Sequence, residues 1–235
     1  MTRGIFVTGT DTGVGKTFAG CALLRALGDA GHRAVGMKPV AAGFAANSTD
    51  NDDVIALAAA GNVVAPLRDR NPYAFAEPVA PHLAANTAGI SIDVSCVVAA
   101  YARLAERADA IVVEGAGGAL VPLDARHDML DIAMALHLRV LLIVGMRLGC
   151  LNHALLSALA VQRRGLVLAG WIANELPPGM PWLAPNIDTL ERRLGAPLVA
   201  VLRAGTTPRI APAALAPLGF SPRRATSRRD RKHEP

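Results

Sequence analysis

At 235 residues the chain has length for one substantial core, within the ~200–250 residues that single α/β domains reach. Hydrophobic residues make up 52% of it and aromatics 4%, which excludes disorder for most of the chain and suits a sheet and helices packed through Ala, Val and Leu. The +5 net charge lies almost wholly in residues 221–235, where six cations stand against Asp230 and Glu234. That leaves a nearly neutral body and argues against a nucleic-acid partner.

In chain order, Ile5 to Val7 read as a first short strand, followed by a glycine-rich stretch and a nearly all-apolar helix from about Thr17 to Leu27. Further runs apolar on both faces are expected as buried strands at Ala34–Met37, Ala110–Val113, Val140–Val144, Leu168–Ala173 and Pro197–Leu202. Between them, Val94, Val97, Tyr101 and Leu104 recur at helical spacing behind a Ser91 cap with Asp93 in the first turn, and another helix follows Asn152. The Pro-rich stretches Asn71–Pro81 and Leu176–Pro185 read as long ordered loops. Strands alternating with helices predict a single-domain α/β fold, mainly a parallel sheet with helices on both faces, over residues 1–220. Residues 221–235, rich in Ser, Pro and Arg, are expected to form a flexible basic tail.

No apolar run approaches the ~18 residues of a membrane span, so no membrane partner and a cytoplasmic location are expected. Cys21, Cys96 and Cys150 are odd in number and unpaired in spacing, which predicts buried reduced thiols rather than a disulfide framework or a zinc site. His82, His127, His137 and His153 show no metal-ligand spacing.

The glycine-rich stretch carries the chemistry. Gly9-Thr10-Asp11-Thr12-Gly13-Val14-Gly15-Lys16-Thr17 has one residue more than the common phosphate-loop spacing, yet lies between a strand and a helix. Glycines there let backbone N–H groups face phosphate oxygens, the helix start is positive, Lys16 reaches the β and γ phosphates, and the Thr17 hydroxyl can ligate Mg²⁺. Ligands in parallel sheets collect at the carboxyl ends of the strands. Lys38 follows the second strand, Glu114 ends the run Ile111–Val113 ahead of Gly115-Ala116-Gly117-Gly118, and Asp53 opens a helix. Each also admits a plainer reading, as a surface lysine, a strand-end ion pair and a helix N-terminal charge.

Taken together, Val7 to Thr17, Lys38-Pro39-Val40, Asn71-Pro72-Tyr73 with Phe75 to Pro78, Val113 to Gly118, Leu148 to His153 and Gly170 to Asn174 resemble the dethiobiotin synthetase family over about residues 4–176. The resemblance implies a homodimer that converts 7,8-diaminononanoate, CO₂ and ATP into dethiobiotin, ADP and phosphate with Mg²⁺. It makes Lys38, Lys16 and Thr12 catalytic, and Thr17, Asp53 and Glu114 the magnesium ligands. ATP would contact Gly13, Val14, Gly15, Lys16, Thr17, Phe18, Asp53, Glu114, Gly115, Ala116, Gly117, Asn174 and Glu175, with Asn174 reading adenine. The substrate would contact Lys38, Ala42, Gly149, Cys150 and Asn152, the last three across the subunit boundary. Gly13 stands where many members have glutamate and Ala42 where a serine often touches the substrate, and the chain beyond Leu202 departs from the family pattern. The competing reading is a P-loop switch of the partitioning or metallocluster-insertion type, which shares the fold. A Rossmann dinucleotide site is disfavoured because the loop lacks Gly-x-Gly-x-x-Gly and contains a lysine.

Overall fold

The computed structural model describes residues 3–43 and 51–223. Strands β1 (Arg3–Gly9), β2 (Ala34–Met37), β5 (Ala110–Gly118), β6 (Arg139–Met146), β7 (Leu168–Glu175) and β8 (Leu198–Leu202) form a parallel sheet in the order β2-β5-β1-β6-β7-β8. Strands β3 (Val40–Ala42) and β4 (Tyr73–Phe75) make a separate parallel pair. The helices are α1 (Lys16–Asp29), α2 (Asp52–Ala60), α3 (Leu67–Arg70), α4 (Pro81–Ala88), α5 (Val94–Ala105), α6 (Met129–Ala135), α7 (Cys150–Arg163) and α8 (Leu183–Arg193), with a short 3₁₀ turn at Pro212–Leu215.

Strand alternation decides which layer each side chain joins. Ile5, Val7, Val112, Leu141 and Ile143 point to the face covered by α1 and α2, packing on Leu23, Leu24, Leu27 and Leu57. Phe6, Ile111, Val113 and Val140 point the other way, against Val97, Leu104, Leu130 and Ile132 of α5 and α6, while Leu142, Val144 and Trp171 meet α7 and α8. Both faces are therefore apolar, as the uninterrupted runs in the sequence require.

Several local expectations change. Helix α5 is capped by Asp93, whose carboxylate accepts from Ser95 N at 2.7 Å, rather than by Ser91. Helix α7 begins at Cys150 with Gly149 as its N-cap, which puts Asn152 inside the first turn. The Asn71–Pro81 stretch is not all loop, since Tyr73–Phe75 pair with Val40–Ala42. A strand of three residues is too short to show a period. Cys21 and Cys150 are buried, but Cys96 is exposed on α5, on the side away from Val97.

Past β8 the chain returns beneath the sheet. Ile210, Leu215, Leu218 and Phe220 pack into the core that holds α1. His32 bridges Asp109 at 3.1 Å and the Ser221 carbonyl at 3.0 Å and meets the Phe220 ring edge-on, while Arg223 pairs with Asp109. Ser221–Arg223 thus lie against the body, and the remainder of the basic tail lies outside the described residues.

Candidate nucleotide and metal site

Every element that contributes to the site ends at the same edge of the sheet. Strand β1 runs into the phosphate loop, which turns into α1 at Gly15, a residue with φ 85°. This left-handed conformation is open to glycine at little cost, and an added Cβ would also lie 2.2 Å from Asn174 Nδ2. Asn174, near the end of β7, is buried and donates from Nδ2 to the Val14 carbonyl at 2.8 Å, so a strand two places from β1 in the sheet braces the loop. Gly13 has open space around its Cβ direction but a left-handed φ of 73°, so a side chain there would meet backbone strain rather than a neighbouring atom.

Lys38 follows β2, and its backbone is held from both sides. Its N–H donates to the Arg70 carbonyl at 2.8 Å, and its own carbonyl accepts from Asn71 Nδ2 at 2.7 Å. The side chain is 5% exposed, and Nζ donates to Asp53 Oδ2 at 2.5 Å and to Glu114 Oε1 at 2.6 Å. Glu114 is fully buried within β5 rather than at its end, in register with Val7, and the glycines after it still belong to the strand. Its Oε1 also accepts from Thr17 Oγ1 at 2.8 Å. Asp53 sits in the first turn of α2, whose Asn51 cap accepts from the Asp53 N–H at 3.0 Å.

These contacts set the charges. Burial pulls the Lys38 ammonium towards neutrality, but Glu114 and Asp53 outweigh it and leave its pKa above the usual lysine value. Burial raises Asp53, and the Lys38 ammonium with its hydrogen bond, aided by Thr17, reverses that and lowers it. Among the described residues Lys16 has no carboxylate at hydrogen-bond distance: its Nζ donates to the Asp11 carbonyl at 3.0 Å. Burial and the neighbouring Lys38 charge push its pKa down to about 8.

The cleft over this cluster measures about 660 Å³. It is lined by Thr12, Gly13, Gly15, Lys16 and Thr17 of the phosphate loop and by Ala42, Pro78, Val79, Pro81, Ala116 and Gly117 from other parts of the chain. Of the sequence candidates, the cleft therefore gathers Thr12, Gly13, Gly15, Lys16, Thr17, Lys38, Ala42, Asp53, Glu114, Ala116 and Gly117. Val14 keeps its side chain in the core. Phe18 projects its ring towards solvent, and Glu175 at the end of β7 accepts from Ala204 N at 3.4 Å and pairs with Arg203 at 3.8 Å. Gly149, Cys150 and Asn152 line no wall of the cleft, and the Cys150 side chain is buried against α8 and β7.

Asn71 and the Pro78–Pro81 wall are the site features that residue chemistry alone did not single out. An Asn-Pro pair ahead of an apolar stretch reads as a turn. Only the fold shows it holding the lysine's backbone.

The donor set fits a magnesium ion. Thr17, Asp53 and Glu114 supply only oxygens, and Thr17 Oγ1 and Glu114 Oε1 already meet at 2.8 Å. A hydroxyl and two carboxylates beside a phosphate loop leave the remaining positions to water and phosphate, the mixture that Mg²⁺ prefers.

Comparison with known proteins agrees with this geometry. A family model described as an AAA domain matches residues 3–206. ATP-dependent dethiobiotin synthetase from Nitrosospira multiformis is 51% identical over 202 residues, covering 86% of this chain and 88% of the relative. The enzyme of the same name from Aromatoleum aromaticum is 48% identical over 202 residues, covering 85% and 90%. Among solved structures, the MinC:MinD cell division complex of Aquifex aeolicus matches with a TM-score of 0.54 at 15% identity over 86% of this chain and 81% of that one. A ParA family ATPase from Chlorobium tepidum gives 0.52 at 13% over 93% and 89%. At such identities these two likenesses concern the fold alone.

Proposed function

This chain belongs to the ATP-dependent dethiobiotin synthetase family, and on that premise we propose that its cleft closes the ureido ring of dethiobiotin from 7,8-diaminononanoate, CO₂ and ATP with Mg²⁺. It is an ATP-dependent ligase of biotin biosynthesis that forms C–N bonds. The observation that carries the finer reading is Lys38, a buried cation set between two carboxylates at the mouth of a phosphate loop.

In the proposed reaction one substrate amine captures CO₂ as a carbamate. A carbamate oxygen attacks the γ-phosphorus of ATP, its bond to ADP breaks, and a carbamic-phosphoric anhydride forms. The second amine then attacks the carbamoyl carbon, phosphate departs and the ring closes with loss of the amine's proton. The physical obstacle is the first approach, of an anion towards a polyanion. Lys16 and the N–H groups of residues 13–17 take the phosphate side, and Lys38 takes the carbamate and the migrating phosphoryl oxygens from the other side of the same cleft. Bound magnesium supplies charge neutralisation on the phosphates, held by Thr17, Asp53 and Glu114. Thr12 lines the cleft where the reacting atoms meet.

The distal carboxylate of the substrate is assigned to the Gly149–Asn152 segment of a second copy in a homodimer. Supporting this, the segment lines no part of its own cleft and heads α7, where N–H groups and the helix dipole favour an anion. Leu120, Leu148 and Leu156 also leave apolar surface beside the first half of α7. Adenine is assigned to Asn174, whose Nδ2 is engaged by the Val14 carbonyl.

The test is phosphate release from Mg-ATP with and without 7,8-diaminononanoate plus bicarbonate, with product followed by mass spectrometry. Phosphate and dethiobiotin are expected together and only with the diamine. Hydrolysis indifferent to the diamine, with no ring product, would favour a P-loop switch.

A further inference from the structure

Among the described residues, Lys38 Nζ stands on the same carboxylates that the metal reading needs. Its contacts with Asp53 Oδ2 at 2.5 Å and Glu114 Oε1 at 2.6 Å use one oxygen of each, and Thr17 Oγ1, the third donor, is 2.8 Å from the same Glu114 oxygen. A divalent cation held between Thr17 Oγ1 and Glu114 would take Oε1, the oxygen that Lys38 Nζ now occupies, since Oε2 lies towards Gly20 of α1, and the repulsion between ammonium and metal at a few ångströms in a buried site is large. The Lys38 backbone is fixed by Arg70 and Asn71, and β2 and β5 close the interior side, so the side chain has only the cleft to move into, which Ala42, Pro78, Val79 and Gly117 line together with the phosphate loop.

We propose that Lys38 is a resident counter-cation for an otherwise uncompensated carboxylate pair. It is displaced when the metal–nucleotide complex arrives, and that displacement delivers its ammonium into the substrate half of the cleft. The inference rests on the assignment of Thr17, Asp53 and Glu114 as metal ligands. It gives one side chain two posts. In the nucleotide-free protein Lys38 offsets the buried Glu114, whose charge would otherwise cost several kcal/mol. In the loaded protein it becomes free to meet an anionic carbamate. The order of events follows, since the lysine that recognises the carbamate is presented only after the metal–nucleotide complex has bound.

Mn²⁺ is the probe, titrated by electron paramagnetic resonance into protein saturated with a non-hydrolysable ATP analogue. Lys38→Met removes the competitor and is expected to bind Mn²⁺ about tenfold more tightly than the wild type. Equal or weaker affinity in a variant that still melts cooperatively overturns the proposal. Asp53→Asn and Glu114→Gln are expected to weaken Mn²⁺ binding; if neither does, the metal assignment itself fails and the proposal falls with it. Acetic anhydride labelling of wild-type protein, read by peptide mass spectrometry, needs no variant. Acetylation of Lys38 is expected to rise severalfold when Mn²⁺ is added with the analogue, while the analogue alone leaves it low. Labelling that stays low with Mn²⁺ present overturns the displacement.

Discussion

Lys16 and Lys38 share one cleft and are set in opposite directions by their neighbours. Lys38 has two carboxylates within 2.6 Å, whereas Lys16 has a carbonyl and a repelling ammonium. With a pKa of about 8 in the free protein, Lys16 is charged at pH 7 and largely neutral at pH 9. A bound phosphate favours the charged form and raises that pKa. Below pH 8 nucleotide binding is then accompanied by little proton uptake, and above it each binding event draws a proton from solution. The dissociation constant for ADP, measured calorimetrically in EDTA, is expected to increase up to about tenfold per pH unit above 8. A flat profile between pH 7 and 9 would show that burial does not weaken the Lys16 charge. The chemistry of these residues was legible in the sequence, because a lysine after a Gly-Val-Gly turn and a carboxylate in a buried strand each have few uses. Their partners were not, since Asn71, 33 positions from Lys38, reveals its role only through a 2.7 Å hydrogen bond.

At the scale of elements, the phosphate loop depends on a strand far away in sequence. Asn174 of β7 fills the space into which a Gly15 side chain would project and ties down the Val14 carbonyl. Gly15→Ala therefore meets both backbone strain at φ 85° and a collision with the amide. It is expected to lower stability by about 1–3 kcal/mol in thermal or urea unfolding and to weaken nucleotide binding more than tenfold. Wild-type affinity in that variant would mean that the loop does not need this conformation. Long apolar elements were readable: β1, β6 and β7 follow from uninterrupted apolar runs, and α1 from a run broken only by Arg25. Boundaries were less so. Asp93 and Ser91 are both competent caps, and the choice of Asp93 is made by where Val97, Ala100 and Leu104 must sit to face the core. The β3–β4 pair, three residues a side, exists because Asn71 and Pro39 bring two short segments alongside each other.

At the scale of the whole molecule, the segment after β8 runs from Arg203, beside Glu175, to Ser221–Arg223 at the end of the sheet opposite the cleft. Phe220 is fully buried against His32, and with Leu215 and Leu218 it joins the core under α1. Phe220→Ala is expected to cost about 3–5 kcal/mol in urea unfolding. Because the change lies at the far edge of the sheet, ADP affinity under native conditions should stay within twofold of wild type. A cost below 1 kcal/mol would place this segment outside the cooperative fold.

By itself the sequence determined the parallel α/β class and the glycine-rich loop between β1 and α1. Each of these is a local property: a run apolar on both faces needs two covering layers, and glycines before a helix present N–H groups wherever the fold places them. Only the tertiary structure decided that Asp53, Glu114 and Thr17 meet around Lys38, that Asn71 and Asn174 brace the site, and that the segment after Leu202 belongs to the core. The physical reason is distance along the chain. Thr17 and Glu114 are separated by 97 positions, and Asn174 and Val14 by 160, so their contacts are made by the strand order β2-β5-β1-β6-β7 rather than by any local pattern.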